Sequence, residues 1–137
     1  MTVNYALDSL AILAYLEGEK TRPRVMELIK DAELGKCSVY LSLINLGEVL
    51  YIIEWEKGHI LALQTLAAID QLPVHISPVS RATVLAAAHI KARYALSYAD
   101  AFAVVTAHEH DCVLLTGDPE FRKAAEDGLV TVEWLSR

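Results

Sequence analysis

Short, almost uninterrupted apolar runs alternate with helix-patterned segments along the whole chain, and this alternation restricts the possible folds more than any other feature of the sequence. Val3 to Leu7, Val39 to Leu41, Val74 to Ile76, Val113 to Thr116 and Val130 to Trp134 read as strands. Between them, Ser9 to Leu16, Arg24 to Glu33, Leu43 to Lys57, Ile60 to Gln71, Ala82 to Arg93, Ser97 to about His110 and Pro119 to Ala125 read as helices. The punctuation agrees with this division: Gly18, Gly35 and Gly58 stand at helix ends, Pro23 suits a first helical turn, and Ser42 and Ser80 occupy capping positions. Strands that are apolar throughout must be covered on both faces, as in a parallel sheet with crossover helices on each side. The expected fold is therefore α/β, a three-layer α/β/α sandwich with a central parallel sheet. At 137 residues the chain, 1–137, is expected to form a single domain.

Ligands of such sheets bind outside the carboxyl ends of the strands. Asp8 and Asp118 each follow a predicted strand, which sets them on that edge. Asp100 lies among small residues in Ser-Tyr-Ala-Asp-Ala, and Glu48 interrupts an apolar helical stripe whose near neighbours are Ile44, Tyr51 and Ile52. Each has a structural alternative. Asp8 can cap the following helix, Asp118 before Pro119 has the form of an N-cap with proline at N1, and Ser97 to Asp100 resembles a capping box. Glu48 is harder to explain that way, because a carboxylate on an apolar face is costly without a compensating charge, and no Lys or Arg lies within helical reach. Taken jointly, Asp8, Glu48, Asp100 and Asp118 suit a hard divalent cation, Mg²⁺ or Mn²⁺, which binds oxygen and relieves the repulsion of clustered carboxylates. A cation so held can activate water and stabilise charge on a phosphoryl oxygen, so metal-dependent hydrolysis of phosphodiesters is the expected chemistry. The hydroxyls of Ser9 and Thr116 stand close by in sequence, either to orient a carboxylate or to cap a helix.

The formal net charge of −6 argues against nucleic-acid binding by bulk basicity. The positive charge is grouped instead: Lys20, Arg22 and Arg24; Lys91 and Arg93; Arg122 and Lys123. Each group is either a solvated helix face or a phosphate contact. Cys37 and Cys112 open strand-like runs without metal-ligand spacing and read as reduced core thiols. The histidines show no ligand spacing either. No apolar run is long enough to span a bilayer, and the N-terminus lacks the basic start and apolar segment of a secretory signal, so a cytoplasmic protein without a membrane association is expected. No Ser-His-Asp, Cys-His or P-loop arrangement supplies a protein nucleophile or a nucleotide grip. Leu10 occupies the place where a haloacid-dehalogenase-type phosphatase needs its second Asp, and the acid and lysine pattern of a phospho-receiver domain is not evident.

The runs Ala-Leu-Asp8-Ser, Ser42-Leu-Ile-Asn45-Leu-Gly-Glu48-Val, Leu96-Ser97-Tyr-Ala-Asp100-Ala and Leu115-Thr116-Gly-Asp118-Pro-Glu-Phe121 resemble, in order and along the whole chain, the PIN-domain family and its VapC-type toxin branch. The resemblance implies a parallel-sheet α/β/α fold and Mg²⁺- or Mn²⁺-dependent endoribonuclease activity. It also implies a toxin of a type II toxin-antitoxin system, held inactive by a cognate antitoxin protein. By motif position Asp8, Glu48, Asp100 and Asp118 match the family's acidic set, and Thr116 matches its frequent hydroxyl neighbour. Leu10 departs from the pattern, since many members carry a small or polar residue there. The rival within the same fold is a catalytically silent binding or scaffold module, whose usual sign, a missing acid, is not seen.

An apolar fraction of 54% is high for a monomer with nothing covering its surface. The helix Leu43 to Lys57 concentrates the excess, with Leu43, Leu46, Leu50 and Ile53 on one side and Ile44, Tyr51, Ile52 and Trp55 on the other. Only one side can lie on the sheet, so either the helix Ile60 to Gln71 covers the second or a homodimer partner does, with room for an amphipathic antitoxin segment.

Overall fold

The structure is a computed structural model and describes residues 2–135. Its elements are β1 (Asn4–Leu7), α1 (Ser9–Glu17), α2 (Arg22–Glu33), β2 (Val39–Ser42), α3 (Leu43–Lys57), α4 (His59–Asp70), β3 (Val74–Ser77), α5 (Arg81–Arg93), α6 (Tyr98–Glu109), β4 (Cys112–Thr116), a 3₁₀ turn (Pro119–Phe121), α7 (Arg122–Glu126) and β5 (Val132–Trp134). The strands form a five-stranded sheet in the order β3-β2-β1-β4-β5, and every pairing is parallel.

Alternation along the strands sorts the core into two halves. Leu7, Leu41 and Leu115 face one side and pack with residues of α1 to α4, whereas Ala6 and Leu114 face the other and pack with α5, α6, Phe121 and Ala124. These are the expected three layers. The chain adds β2 and β3 on one side of β1, then crosses over to add β4 and β5 on the other. The strand order therefore reverses between β1 and β4, and the crevice at the carboxyl ends of these two strands is where an open α/β sheet binds ligands. Register places Leu7 opposite Leu115, so Asp8 and Thr116 emerge side by side in that crevice.

Two predicted elements differ. The segment after Asp118 is not one helix. The Asp118 side chain accepts a hydrogen bond from the Glu120 N–H at 2.9 Å, which tightens Pro119 to Phe121 into the 3₁₀ turn before α7 begins. Phe121 is fully buried, and burying such a ring stabilises by roughly 1.5–3 kcal/mol, which anchors the turn to the sheet. The last strand is shorter than the apolar run suggests, because Val130 is buried as a core residue ahead of the ladder rather than within it. Arg24 of α2 reaches across to Glu133 of β5 with paired bonds of 2.7 and 2.9 Å, which ties the last strand to the helical layer. Both cysteines are half-buried free thiols rather than core residues. Burial pushes Cys112 up to about 11. Among the described residues no helix is long and apolar enough to cross a membrane.

Helix α4 packs beside α3 yet does not cover its outer side. Tyr51 is 62% and Trp55 87% exposed. Ile60 and Leu63 of α4 are exposed as well.

Candidate functional site

Asp8 is 1% exposed and does two things at once. Its Oδ1 accepts the Ala11 N–H at 2.8 Å and caps α1, while its Oδ2 accepts the Thr116 hydroxyl. Thr116 Oγ1 in turn accepts the Asp118 N–H at 3.0 Å. One hydroxyl thus fixes the turn after β4 against the end of β1. Asp118 caps the 3₁₀ turn with Oδ1, and Asp100 lies in the first turn of α6, its N–H donating to the Ser97 hydroxyl at 3.1 Å. Here the partial positive charge of the helix N-terminus favours a carboxylate.

Asp100 and Asp118 come together with a third acid that sequence reasoning missed. Carboxylate oxygens of Asp100, Asp118 and Glu120 all lie within 4.8 Å of one another. The tight turn brings Glu120, which stays exposed, to the start of α6, where the Ser97 N–H donates to its Oε1. Read as part of a regular helix, Glu120 is an ordinary surface residue; the proline after a capping Asp was the available hint that the first turn would be tight. Asp8 and Glu48 are not part of this group of three, although the charges of Asp118 and Glu48 both reach Asp8. Glu48 is not buried as its apolar neighbours suggest. It is half-buried, because Leu43, Gly47, Tyr51 and Trp55 form the exposed stripe of α3 and Glu48 stands at the border of that stripe.

Burial and repulsion leave two of these acids poorly suited to being charged. Burial pushes Asp8 up to about 6, against the Thr116 and Ala11 hydrogen bonds, with Asp118 and Glu48 adding to the rise. Asp100 is pushed up to about 7, first by burial and then by the charges of Asp8, Glu120 and Asp118. This is the situation a divalent cation relieves. All the donors are oxygens, without His or Cys, which fits a hard cation better than zinc.

Ser9 orients no carboxylate directly. Its hydroxyl pairs with Asn45, accepting from Nδ2 at 3.1 Å and donating to the backbone carbonyl at 3.4 Å. Asn45 is fully buried, also donates to the Ala99 carbonyl at 3.1 Å, and so locks α1, α3 and the first turn of α6 around the acids. Its Oδ1 has no partner among the described residues. An Asn on the same apolar stripe as Glu48 carried the same signal of a buried polar group, and the sequence reading did not use it. Leu10, the departure from the family pattern, is 49% exposed and lines a separate hollow of about 550 Å³ with Ala14, Lys20 and Leu135. Of the grouped cations, Arg24 is committed to Glu133 and Glu27, and Arg22 to the Tyr15 carbonyl at 2.8 Å.

The fold is a parallel α/β/α sandwich with an oxygen-only acidic cluster at its switch point. The sequence model of the PIN domain family matches residues 5–127, and the chain belongs to that family. Solved structures agree on the fold. VapBC2 from Rickettsia felis, bound to a DNA fragment from its promoter, superposes with a TM-score of 0.75 at 14% identity, over 98% of this chain and 100% of the other. DNA-bound VapBC from Salmonella typhimurium gives 0.74 at 15%, over 98% and 100%. VapC20 from Mycobacterium tuberculosis, a Sarcin-Ricin loop cleaving toxin, gives 0.66 at 19%, over 88% and 94%. No curated protein sequence gives a significant match.

Proposed function

We propose that this chain is a Mg²⁺- or Mn²⁺-dependent endoribonuclease and the toxin of a type II toxin-antitoxin pair, acting in the cytoplasm. The observation that carries the reading is the close cluster of Asp100, Asp118 and Glu120, backed by buried Asp8, at the switch point of a PIN-domain sheet. Asp8, Glu48, Asp100 and Asp118, with Glu120, would hold the cation. When bound, it supplies an activated water and screens the charge that builds on the phosphoryl oxygens. The protein's own contribution is positional. Thr116 and the Ala11 N–H hold the Asp8 carboxylate in one orientation, Ser97 does the same for Glu120, and Asn45 keeps the helices carrying the acids from moving apart. No protein nucleophile is involved, so hydrolysis proceeds without a covalent intermediate.

Incubating the purified chain with single-stranded RNA, with Mg²⁺ and with excess chelator, tests the reading. Internal cleavage that requires the cation is expected; RNA binding without cleavage would favour the silent scaffold module instead. Glu120→Gln is expected to lower kcat by about 10- to 100-fold, the range for groups that support a metal site, and to weaken Mn²⁺ binding measured by calorimetry. An unchanged rate would remove Glu120 from the ligand set.

The structural neighbours support a protein partner, since they include VapBC complexes, a toxin-antitoxin complex from Klebsiella pneumoniae and FitAcB from Neisseria gonorrhoeae. The exposed Tyr51 and Trp55 on α3, with Ile60 of α4, support a homodimer that also receives an antitoxin segment, whose basic side chain could occupy the acidic cluster. Sedimentation at high micromolar concentration should show a dimer, and Trp55→Glu should convert it to a monomer. A wild-type monomer under these conditions would rule the dimer out.

A further inference from the structure

Beside the acidic cluster lies a cleft of about 230 Å³ lined by Arg93, Tyr94, Ala95, Glu120, Lys123 and Asp127. Its two walls are the loop between α5 and α6 and the 3₁₀ turn with α7, drawn together where the Ser97 N–H donates to Glu120. Glu120 belongs both to the cleft and to the group of oxygens it shares with Asp100 and Asp118, so the cleft and the proposed cation site have this residue in common. We propose that this cleft seats a backbone phosphate of the RNA strand next to the scissile one; the proposal rests on the ribonuclease reading above.

The charges support a phosphate as occupant. On a chain of net charge −6, two cations border a cleft that adjoins the acids. Arg93 is exposed, stands 5.8 Å from the centre of the Tyr94 ring, and pairs with no carboxylate among the described residues. Its planar guanidinium presents a fork of donors that matches phosphate oxygens. Lys123 is held by Asp127 at 3.0 Å, and the same carboxylate accepts the Tyr94 hydroxyl at 3.1 Å. An ammonium carries three donors, so this contact fixes the position of Lys123 and leaves the others for a ligand. With Glu120 engaged by a cation and Asp127 by Lys123 and Tyr94, the one uncompensated charge of the lining is that of Arg93. Arg24, by contrast, is paired with the carboxylates of Glu27 and Glu133.

The test compares the full-length chain with Arg93→Ala/Lys123→Ala on a short single-stranded RNA in Mg²⁺. The double variant is expected to raise KM about 10- to 30-fold with kcat within about twofold, and to reduce the slope of log affinity against log salt by about 0.7, the value for one phosphate contact on a single strand. Mn²⁺ affinity and Tm should stay as in the wild type. A methylphosphonate at one phosphate flanking the scissile bond should cost the wild type a similar factor and cost the double variant little, because the two changes remove the same contact. Unchanged KM and salt slope in the double variant, or a parallel loss of Mn²⁺ affinity, would overturn the cleft assignment while leaving the ribonuclease reading in place. A wild-type chain that neither binds nor cuts RNA would overturn both.

Discussion

Asp100→Asn is expected to lower kcat/KM for RNA by about 10³-fold or more, some 4 kcal/mol of transition-state stabilisation, while Tm in chelator stays level or rises. The two expectations come from one environment. Asp100 is 7% exposed, and burial first and then the charges of Asp8, Glu120 and Asp118 push its carboxyl up to about 7. Asparagine has almost the same shape and is always neutral. The hydrogen bond from the Asp100 backbone to Ser97 does not involve the side chain, so the helix start is preserved. What is lost is a charged oxygen donor within 4.8 Å of Asp118 and Glu120. Stability set aside for function is a common property of active sites, and here it predicts a dead variant that is at least as stable as its parent. Cleavage at the wild-type rate would remove Asp100 from the site; a large fall in Tm would mean the residue is structural.

The parts of this picture that were legible in the sequence are those decided by local pattern. Val39 and Leu41 are fully buried on a strand, and such runs, alternating with helices, demand a sheet covered on both sides. Asp8 and Asp118 were legible as strand-end acids, but capping and ligation looked like alternatives. In Asp8 one carboxylate oxygen caps α1 through the Ala11 N–H and the other accepts the Thr116 hydroxyl. The unreadable parts depend on contacts between distant segments. Glu120 is set by a local hydrogen bond from its N–H to Asp118, but what its side chain meets is Ser97, 23 positions earlier. Arg24 belongs to Glu133 across 109 positions, so the grouping of Lys20, Arg22 and Arg24 said nothing about which of them remained available. Val130 shows the limit of pattern itself, since an apolar run records burial and not whether the backbone joins the ladder.

In chelator, Tm should fall as pH rises from about 5 to 7, and saturating Mg²⁺ should largely abolish the fall. Asp8 is raised from an ordinary 3.8 to about 6 and Asp100 from 3.8 to about 7. Between those limits the folded chain holds more protons than the unfolded chain, so stability decreases as pH increases. The window lies between the ordinary carboxylate range and about pH 7. Asp127 and Glu133 have the opposite sign, being held low first by their hydrogen bonds to Lys123 and Arg24, but their contribution is lost only as pH falls through their lowered values, below this window. For buried Asp8 alone, a rise of about two units is worth about 3 kcal/mol at 1.36 kcal/mol per unit, roughly half of it lost below pH 5 and half above. In a domain of this size the whole amount corresponds to roughly 10 °C. A cation at about a hundred times its dissociation constant returns about 2.7 kcal/mol, close to the same amount, and it binds only where the carboxylates have lost their protons. Mg²⁺ should therefore add little at pH 5 and most at pH 8. Thermal unfolding at four pH values, with and without the cation, reads both effects at once. A Tm that rises with pH in chelator, or an equal Mg²⁺ effect at pH 5 and 8, would mean that the acids at the switch point are not the linked groups.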